Sequence, residues 1–167
     1  MTELAVPEQA DLRDQVAALV PDLRAFARFL AGDRAGADDL VQDTIVRALG
    51  AQDQFIAGAS LRAWLFAILR NTFYEQSRRR RTEARLLAEA TTDTLSHPAA
   101  QHGQAALAEL QRFLLLLPTP LREALVLVGA HGLSHAEAAR VCNVAEGTMK
   151  ARVSRARAEL AKRMLRA

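Results

Sequence analysis

The stretch SHAEAARVCNVAEGTMKARVSRAR, residues 134–157, decides how the chain is built. Ser134-His135-Ala136-Glu137 has the form of a capping box, in which a serine and a glutamate three residues later close the open end of a helix reciprocally. The short helix it starts ends near Cys142, and Asn143 suits the left-handed turn that follows. A second helix then runs from about residue 146 to residue 165. These are helix–turn–helix proportions. On the second helix, Met149, Val153, Ala156 and Leu160 lie within about 60° of one another at 3.6 residues per turn, which makes them the buried stripe. Ala151, Ser154 and Arg155 point the other way, flanked by Lys150, Arg152 and Arg157, with no acid between Thr148 and Ala158. Small side chains let a helix sit deep in the major groove, while Arg and Lys reach guanine edges or phosphates. A helix that only meets water usually mixes signs four residues apart.

Outward from this unit the chain reads as helix throughout. Pro118-Thr119-Pro120 stops a helix over 104–117 and starts another, with Thr119 as cap and Pro120 at its first position; Gly132 ends it. Residues 89–103, EATTDTLSHPAAQHG, are small and polar and show neither helical nor strand period. They read as a flexible linker between two small helical domains, 10–88 and 104–167, although a long loop inside one domain has the same composition. In the first half, Val16, Leu19, Leu23, Phe26 and Leu30 recur at helical steps, and Pro21 predicts a kink or a break among them. A second helix over 37–49 buries Ala37, Leu40, Val41, Thr44, Ile45 and Ala48 as one stripe. Its other face carries Asp38, Asp39, Gln42, Asp43, Val46 and Arg47. An exposed valine among acids points to a partner surface, though single exposed apolar residues are common. Ser60 caps a third helix over 61–85, with Leu61, Leu65, Ile68 and Thr72 as its core stripe. Trp64, Asn71, Tyr74 and Arg78 share one side of it. An amide, rings and a guanidinium in a row can stack on unpaired bases, and Arg78, Arg79, Arg80 and Arg81 follow for phosphates. Trp64 has the alternative of being core.

The predicted fold class is therefore all-α, two helical domains and a linker. Composition agrees: of 167 residues half are hydrophobic and a quarter charged, with 8 Gly and 5 Pro, a globular, helix-favouring mix. Net charge is +3 but unevenly spread. Residues 1–55 carry five Arg against ten acids, 56–85 seven Arg against two, 86–139 two Arg against five, and 140–167 eight bases against two. Two basic blocks between acidic ones fit two contacts with one polyanion; two solvated helix ends would give the same blocks. Apolar runs such as Phe113–Leu117 fall far short of the ~20 residues that span a bilayer. The first twenty residues hold four acids and one Arg, the wrong pattern for a secretory leader. One cysteine excludes an internal disulfide and fits a reducing cytoplasm.

These motifs resemble one family. LPTPLREALVLVGAHGLSHAEAARVCNVAEGTMKARVSRARAEL, residues 117–160, is similar to the fourth region of extracytoplasmic-function (ECF, group IV) sigma factors of the sigma-70 family. It carries that family's Leu-Pro start, Gly132-Leu133-Ser134, and a recognition helix over Gly147–Arg157. ADDLVQDTIVRAL, residues 37–49, resembles the second-region motif, and SLRAWLFAILRNTFYEQSRRRR, residues 60–81, resembles regions 2.3 and 2.4. The family often has Gly where Asn143 stands, and more often Asp than Glu where Glu75 stands. The resemblance spans about 12–87 and 104–165 in the family's order. It implies −35 promoter contacts from Lys150, Ala151, Ser154 and Arg155, with Arg152 and Arg157 nearer the DNA backbone. It implies −10 recognition and strand opening by Trp64, Asn71, Tyr74 and Arg78 to Arg81, with loop 52–60 capturing a flipped base. Asp39, Gln42, Asp43 and Arg47 would meet the β′ clamp helices of core RNA polymerase, and the fourth region the β flap. The REALVLVGA and AARVCNVAEGT stretches look most like the alphaproteobacterial general-stress subgroup, which implies a small anti-sigma partner and a chain that is monomeric when free.

No enzyme, metal or cofactor is expected. His97, His102, His131, His135 and Cys142 lack paired-ligand spacing. There is no Gly-rich phosphate loop and no nucleophile elbow. Two other readings stand beside the sigma factor. One is a sigma-like decoy that titrates an anti-sigma factor; the other is a helix–turn–helix repressor or activator that binds palindromic DNA as a dimer.

Overall fold

In the computed structural model the backbone is described over residues 7–88 and 105–166, with side chains over 11–88 and 108–166. The expected linker, 89–103, lies outside these residues. Among the described residues there are eight α-helices and no strand.

The expected break at Pro21 is there. Helix α1 (Pro7–Ala18) and helix α2 (Val20–Ala31) meet at Leu19. Pro21 sits in the first turn of α2, where its missing N–H costs nothing. Gly32, at φ +80°, ends α2 by donating to Arg28 O at 2.9 Å. Asp33 then caps α3 (Arg34–Gly50), its carboxylate accepting from Gly36 N at 2.6 Å. A single 3-10 turn at Gln52–Gln54 leads to α4 (Leu61–Ala88), where Ser60 Oγ accepts from Ala63 N at 3.2 Å.

The second half holds α5 (Ala105–Leu115), α6 (Thr119–Leu125), α7 (His135–Cys142) and α8 (Glu146–Arg166). The expected cap of α6 is shifted by one residue. Pro118 is the cap, Thr119 is already helical, and the Pro118 carbonyl accepts from both Leu121 N and Arg122 N at 3.0 Å. The backbone closes this end, with no side-chain cap. One π turn at Val126–Ala130 continues α6, His131 N donating to Val126 O at 3.0 Å. Gly132, at φ +68°, stops it as expected.

Leu23, Phe26, Leu40, Leu65, Phe66 and Leu69 from the first half are fully buried, as are Ala124, Leu127, Ala138 and Met149 from the second. They belong to one continuous apolar cluster, because α4 packs on α3 and α2 on one side and on α7 on the other. That second neighbour changes the core stripe of α4. Phe66 and Leu69 are buried and Ile68 is only half-buried, since the helix has two apolar faces to cover instead of one.

Candidate nucleic-acid interface

The helix–turn–helix forms through the capping the sequence specifies. Ser134 Oγ accepts from Glu137 N at 3.1 Å, and Glu137 Oε2 accepts from Ser134 N at 2.9 Å. These hydrogen bonds favour the ionised carboxylate and hold Glu137 below its ordinary pKa. Asn143 adopts φ 52°, ψ 50°, the left-handed turn between α7 and α8. Met149, Val153 and Ala156 of α8 are buried and Leu160 is half-buried. Lys150, Ser154, Arg155 and Arg157 are exposed along the opposite side with Ala151 among them, half-covered. Lys150 pairs with Glu146 one turn back at 3.1 Å, both side chains exposed. Arg152 departs from this face. It is half-buried, close enough to Glu123 and Cys142 for its charge to act on both. The wheel position of Arg152 lies between the two faces, and a buried carboxylate draws it inward.

On α4 the structure brings Asn71, Tyr74 and Arg78 together as expected, and adds Arg70 and Glu75. The five line an open cavity of about 430 Å³. Asn71 and Arg78 are exposed, and Arg70 lies over the Tyr74 ring at 4.6 Å. Burial and then the Glu123 charge push the Tyr74 phenol up to about 12. Arg79, Arg80 and Arg81 project into solvent beyond the cavity. Trp64 is separate from this group. It is half-buried against Phe55, ring centroids 5.3 Å apart, and packs on the core from the loop side. Two turns of helix lie between it and Asn71, too far to line the same cavity. In the loop, Ile56 is 76% exposed and Gly58 has φ +87°.

The acidic face of α3 is as open as its pattern implies. Asp39, Gln42, Asp43 and Arg47 are exposed, and Val46 is 71% exposed. This face is tied to α4: Arg47 Nη1 donates to Glu75 Oε2 and Gln76 Nε2 to Asp43 Oδ2, both at 2.6 Å. The hydrogen bond to Arg47 holds Glu75 below its ordinary pKa.

The residues that sequence reasoning missed lie where the halves meet. Arg70 Nε donates to Oε1 of Glu123 on α6 at 3.0 Å, and the Glu123 side chain is fully buried. Burial raises the pKa of Glu123, and the Arg70 charge opposes that rise. Arg62 of α4 donates to the His131 carbonyl at 2.6 Å, and Arg122 of α6 donates to the Phe29 carbonyl at 2.8 Å. The His131 ring meets Phe26 and Phe66 edge-on, at 6.0 and 4.9 Å. Burial, then the Arg62 charge, lowers its pKa. The readable signal was an acid on an apolar stripe: Glu123 stands at helical spacing from Val126 and Leu127.

Comparison with known proteins gives this arrangement its family. Residues 15–83 match the Sigma-70 region 2 family and residues 107–160 match Sigma-70 region 4. The chain is 48% identical over 158 residues to the ECF RNA polymerase sigma factor EcfG of Rhodopseudomonas palustris, covering 93% of this chain and 86% of that one. The chain belongs to the ECF sigma factors of the sigma-70 family. This sigma factor is also 39% identical over 137 residues to SigC of Mycobacterium tuberculosis, covering 81% of this chain and 74% of SigC. Among solved structures it is similar to the sigma factor RpoE of Bartonella quintana in complex with the anti-sigma factor NepR. That match has 41% identity and a TM-score of 0.79 over 91% of this chain and 95% of RpoE. In this sigma factor the acidic α3 face, the α4 cavity and the basic α8 face thus lie on the two family regions, one of them on each side of the Arg70–Glu123 junction. None of the described helices is long and apolar enough to cross a membrane.

Proposed function

We propose that this sigma factor joins core RNA polymerase through the acidic face of α3 and carries it to promoters read at two separate elements. The observation that carries the reading is one chain with three exposed faces of matched chemistry. The face with Asp39, Gln42, Asp43 and Arg47 meets the β′ clamp helices, and the region 4 module meets the β flap. Lys150, Ala151, Ser154 and Arg155 read the −35 duplex in the major groove, with Arg157 on the backbone. Arg152, turned toward Glu123, adds charge behind them. Asn71, Tyr74 and Arg78 take up unpaired bases of the −10 element, and Arg79, Arg80 and Arg81 hold its phosphates. Trp64 supports this helix from the core side. The domains divide at 10–88 and 104–167, with 89–103 as the tether that lets them span both elements.

The factor acts by binding, without a metal, a cofactor or catalysis of its own, in the cytoplasm and as a monomer when free. Likeness to EcfG and to RpoE held by NepR supports a place in the general-stress subgroup and a small anti-sigma partner. Footprinting tests the reading. Protection of two promoter elements that appears only with core polymerase present supports it. A polymerase-independent footprint on a palindrome marks a dimeric repressor or activator, and binding to an anti-sigma factor without any promoter complex marks a decoy.

A further inference from the structure

The cavity on α4 holds one acid among its bases. Asn71, Glu75 and Arg78 fall within about 60° of one another at 3.6 residues per turn, and with Arg70 and Tyr74 they line the open space of about 430 Å³. Arg70 is held by Glu123, and the Tyr74 hydroxyl lies within hydrogen-bonding reach of that same carboxylate. The polar groups left to meet a guest are the Asn71 amide, the Arg78 guanidinium and the Glu75 carboxylate. A carboxylate repels phosphate, so a site for the nucleic-acid backbone alone has no use for it. Arg78 and Arg79 stand three and four residues after Glu75, the spacing of ordinary helix pairs. Among the described residues, though, the ion pair of Glu75 is with Arg47 of α3. Arg47 Nη1 donates to Oε2 at 2.6 Å, and this bond, with the Arg47 charge, holds the carboxyl ionised and below its ordinary pKa. No hydrogen bond to Oε1 occurs among the described residues, and the side chain is 46% exposed.

Unpaired bases differ in how they meet such a set. Adenine and cytosine each place an exocyclic amine beside an unprotonated ring nitrogen, a donor next to an acceptor. The amine donates to a carboxylate, as cytosine N4 does to Glu or Asp, and the ring nitrogen accepts from an amide or a guanidinium. Thymine has a carbonyl on either side of its one N–H, and these oppose a carboxylate. Guanine places two N–H donors side by side, which suit both oxygens of a free carboxylate. With Oε2 taken by Arg47, that paired contact is closed. We propose that Glu75 is a specificity-determining residue of the strand-opening site: its Oε1 accepts from the exocyclic amine of one unpaired base, admitting adenine or cytosine and turning away thymine and guanine, with Arg47 as the residue that positions it. This rests on the sigma-factor reading for the presence of unpaired promoter bases at α4, and gives a part to an acid that reading leaves unused.

The test uses the full-length chain assembled with core polymerase, and duplex templates that carry a pre-opened bubble over the −10 element with every open base randomised. Templates retained by the holoenzyme are sequenced, and the base ratio at each position does not depend on how much complex forms. With the wild type, one position favours adenine or cytosine over thymine and guanine by at least about fivefold, the lower end of what one good base contact discriminates; which of the two prevails separates a purine site from a pyrimidine site. Glu75→Gln keeps the shape and adds an N–H donor, so thymine and guanine enter and the ratio at that position falls to within about twofold of even. Arg47→Ala frees Oε2 and raises guanine at the same position, whereas loss of a merely structural pair would blunt every preference alike. It also decides the matter if Glu75→Gln does not assemble with core. A wild type without such a position, or ratios that Glu75→Gln leaves unmoved, overturn the assignment of Glu75, and guanine unmoved by Arg47→Ala overturns the positioning role of Arg47. A wild-type chain that retains no bubble template with core overturns the sigma-factor reading itself, and this inference falls with it.

Discussion

Helices α8 and α4 both carry a basic face suited to nucleic acid, and the molecule treats the two in opposite ways. On α8, Ser154, Arg155 and Arg157 are exposed, and the ion pairs found on this helix, Lys150 with Glu146 and Lys162 with Glu159, both lie in solvent. Exposed pairs of this kind are worth little and cost little to break. On α4, Arg70 is spent on Glu123, Tyr74 lies under Arg70, and Glu75 binds Arg47 on the acidic face of α3. A duplex presents its base edges without being opened, so its reader can stand ready. A strand-opening surface meets its substrate only after duplex is broken, at a few kcal/mol per unstacked base. Holding that surface in reserve is compatible with its use.

The largest effect should come from the seam that joins the two. Phe66 is fully buried between Phe26 and His131, so Phe66→Ala should lower stability by about 3–5 kcal/mol. Denaturant unfolding of the full chain reads this directly. A loss under 1 kcal/mol would mean that Phe66 does not belong to the folded core. Next, Arg155→Ala should cost about 1–3 kcal/mol of −35 binding, the worth of a base contact, while polymerase binding stays as it is. Unchanged discrimination among −35 sequences would remove α8 from its assigned part. Asp43→Arg should weaken core binding by about tenfold through a like-charge contact and leave −35 binding to duplex unaltered. A mutant that competes for core as well as the wild type would contradict the α3 docking face.

Acidity separates the seam from the readers more gently. His131 has a lowered pKa in the folded chain. Its neutral form therefore adds stability that is fully present above its ordinary pKa of about 6.5 and is lost as pH falls through that region. Glu123 works in the opposite sense. Its raised pKa gives stability that is present below the ordinary carboxylate range and lost as pH rises through the folded value. Between pH 7.5 and 5.5 the His131 contribution lowers the thermal midpoint while that of Glu123 acts against it, so His131→Gln should shift the slope toward a smaller fall, or a larger rise, than in the wild type without touching −35 recognition. An unaltered slope in the variant would mean another group governs it. The smallest effect belongs to the turn of α8's own unit. Asn143 sits at φ 52°, a conformation glycine adopts without strain, so Asn143→Gly should change stability by less than about 1 kcal/mol.

How much of this could be read in the sequence follows from the range of each interaction. The capping box, the Asn143 turn and the outward set on α8 apart from Arg152 depend on residues within one or two turns, all inside the string 134–157, and the break at Pro21 is as local. The grouping of Asn71, Tyr74 and Arg78 follows from helical spacing alone. Trp64 shares that spacing, but Phe55 in the preceding loop holds it on the core. Arg70–Glu123, Arg62–His131 and Arg122–Phe29 join residues 53, 69 and 93 positions apart. No local pattern encodes such pairs. Only the misplaced charge of Glu123 on an apolar stripe marks one of them, and it does not name its partner.

In vitro transcription with purified core polymerase on a library of promoter templates tests the central claim most directly. The account predicts RNA that starts downstream of a shared pair of elements, lost when either is scrambled and redirected in its −35 preference by Arg155→Ala. Absence of RNA from every template, with core and chain both intact, would contradict it.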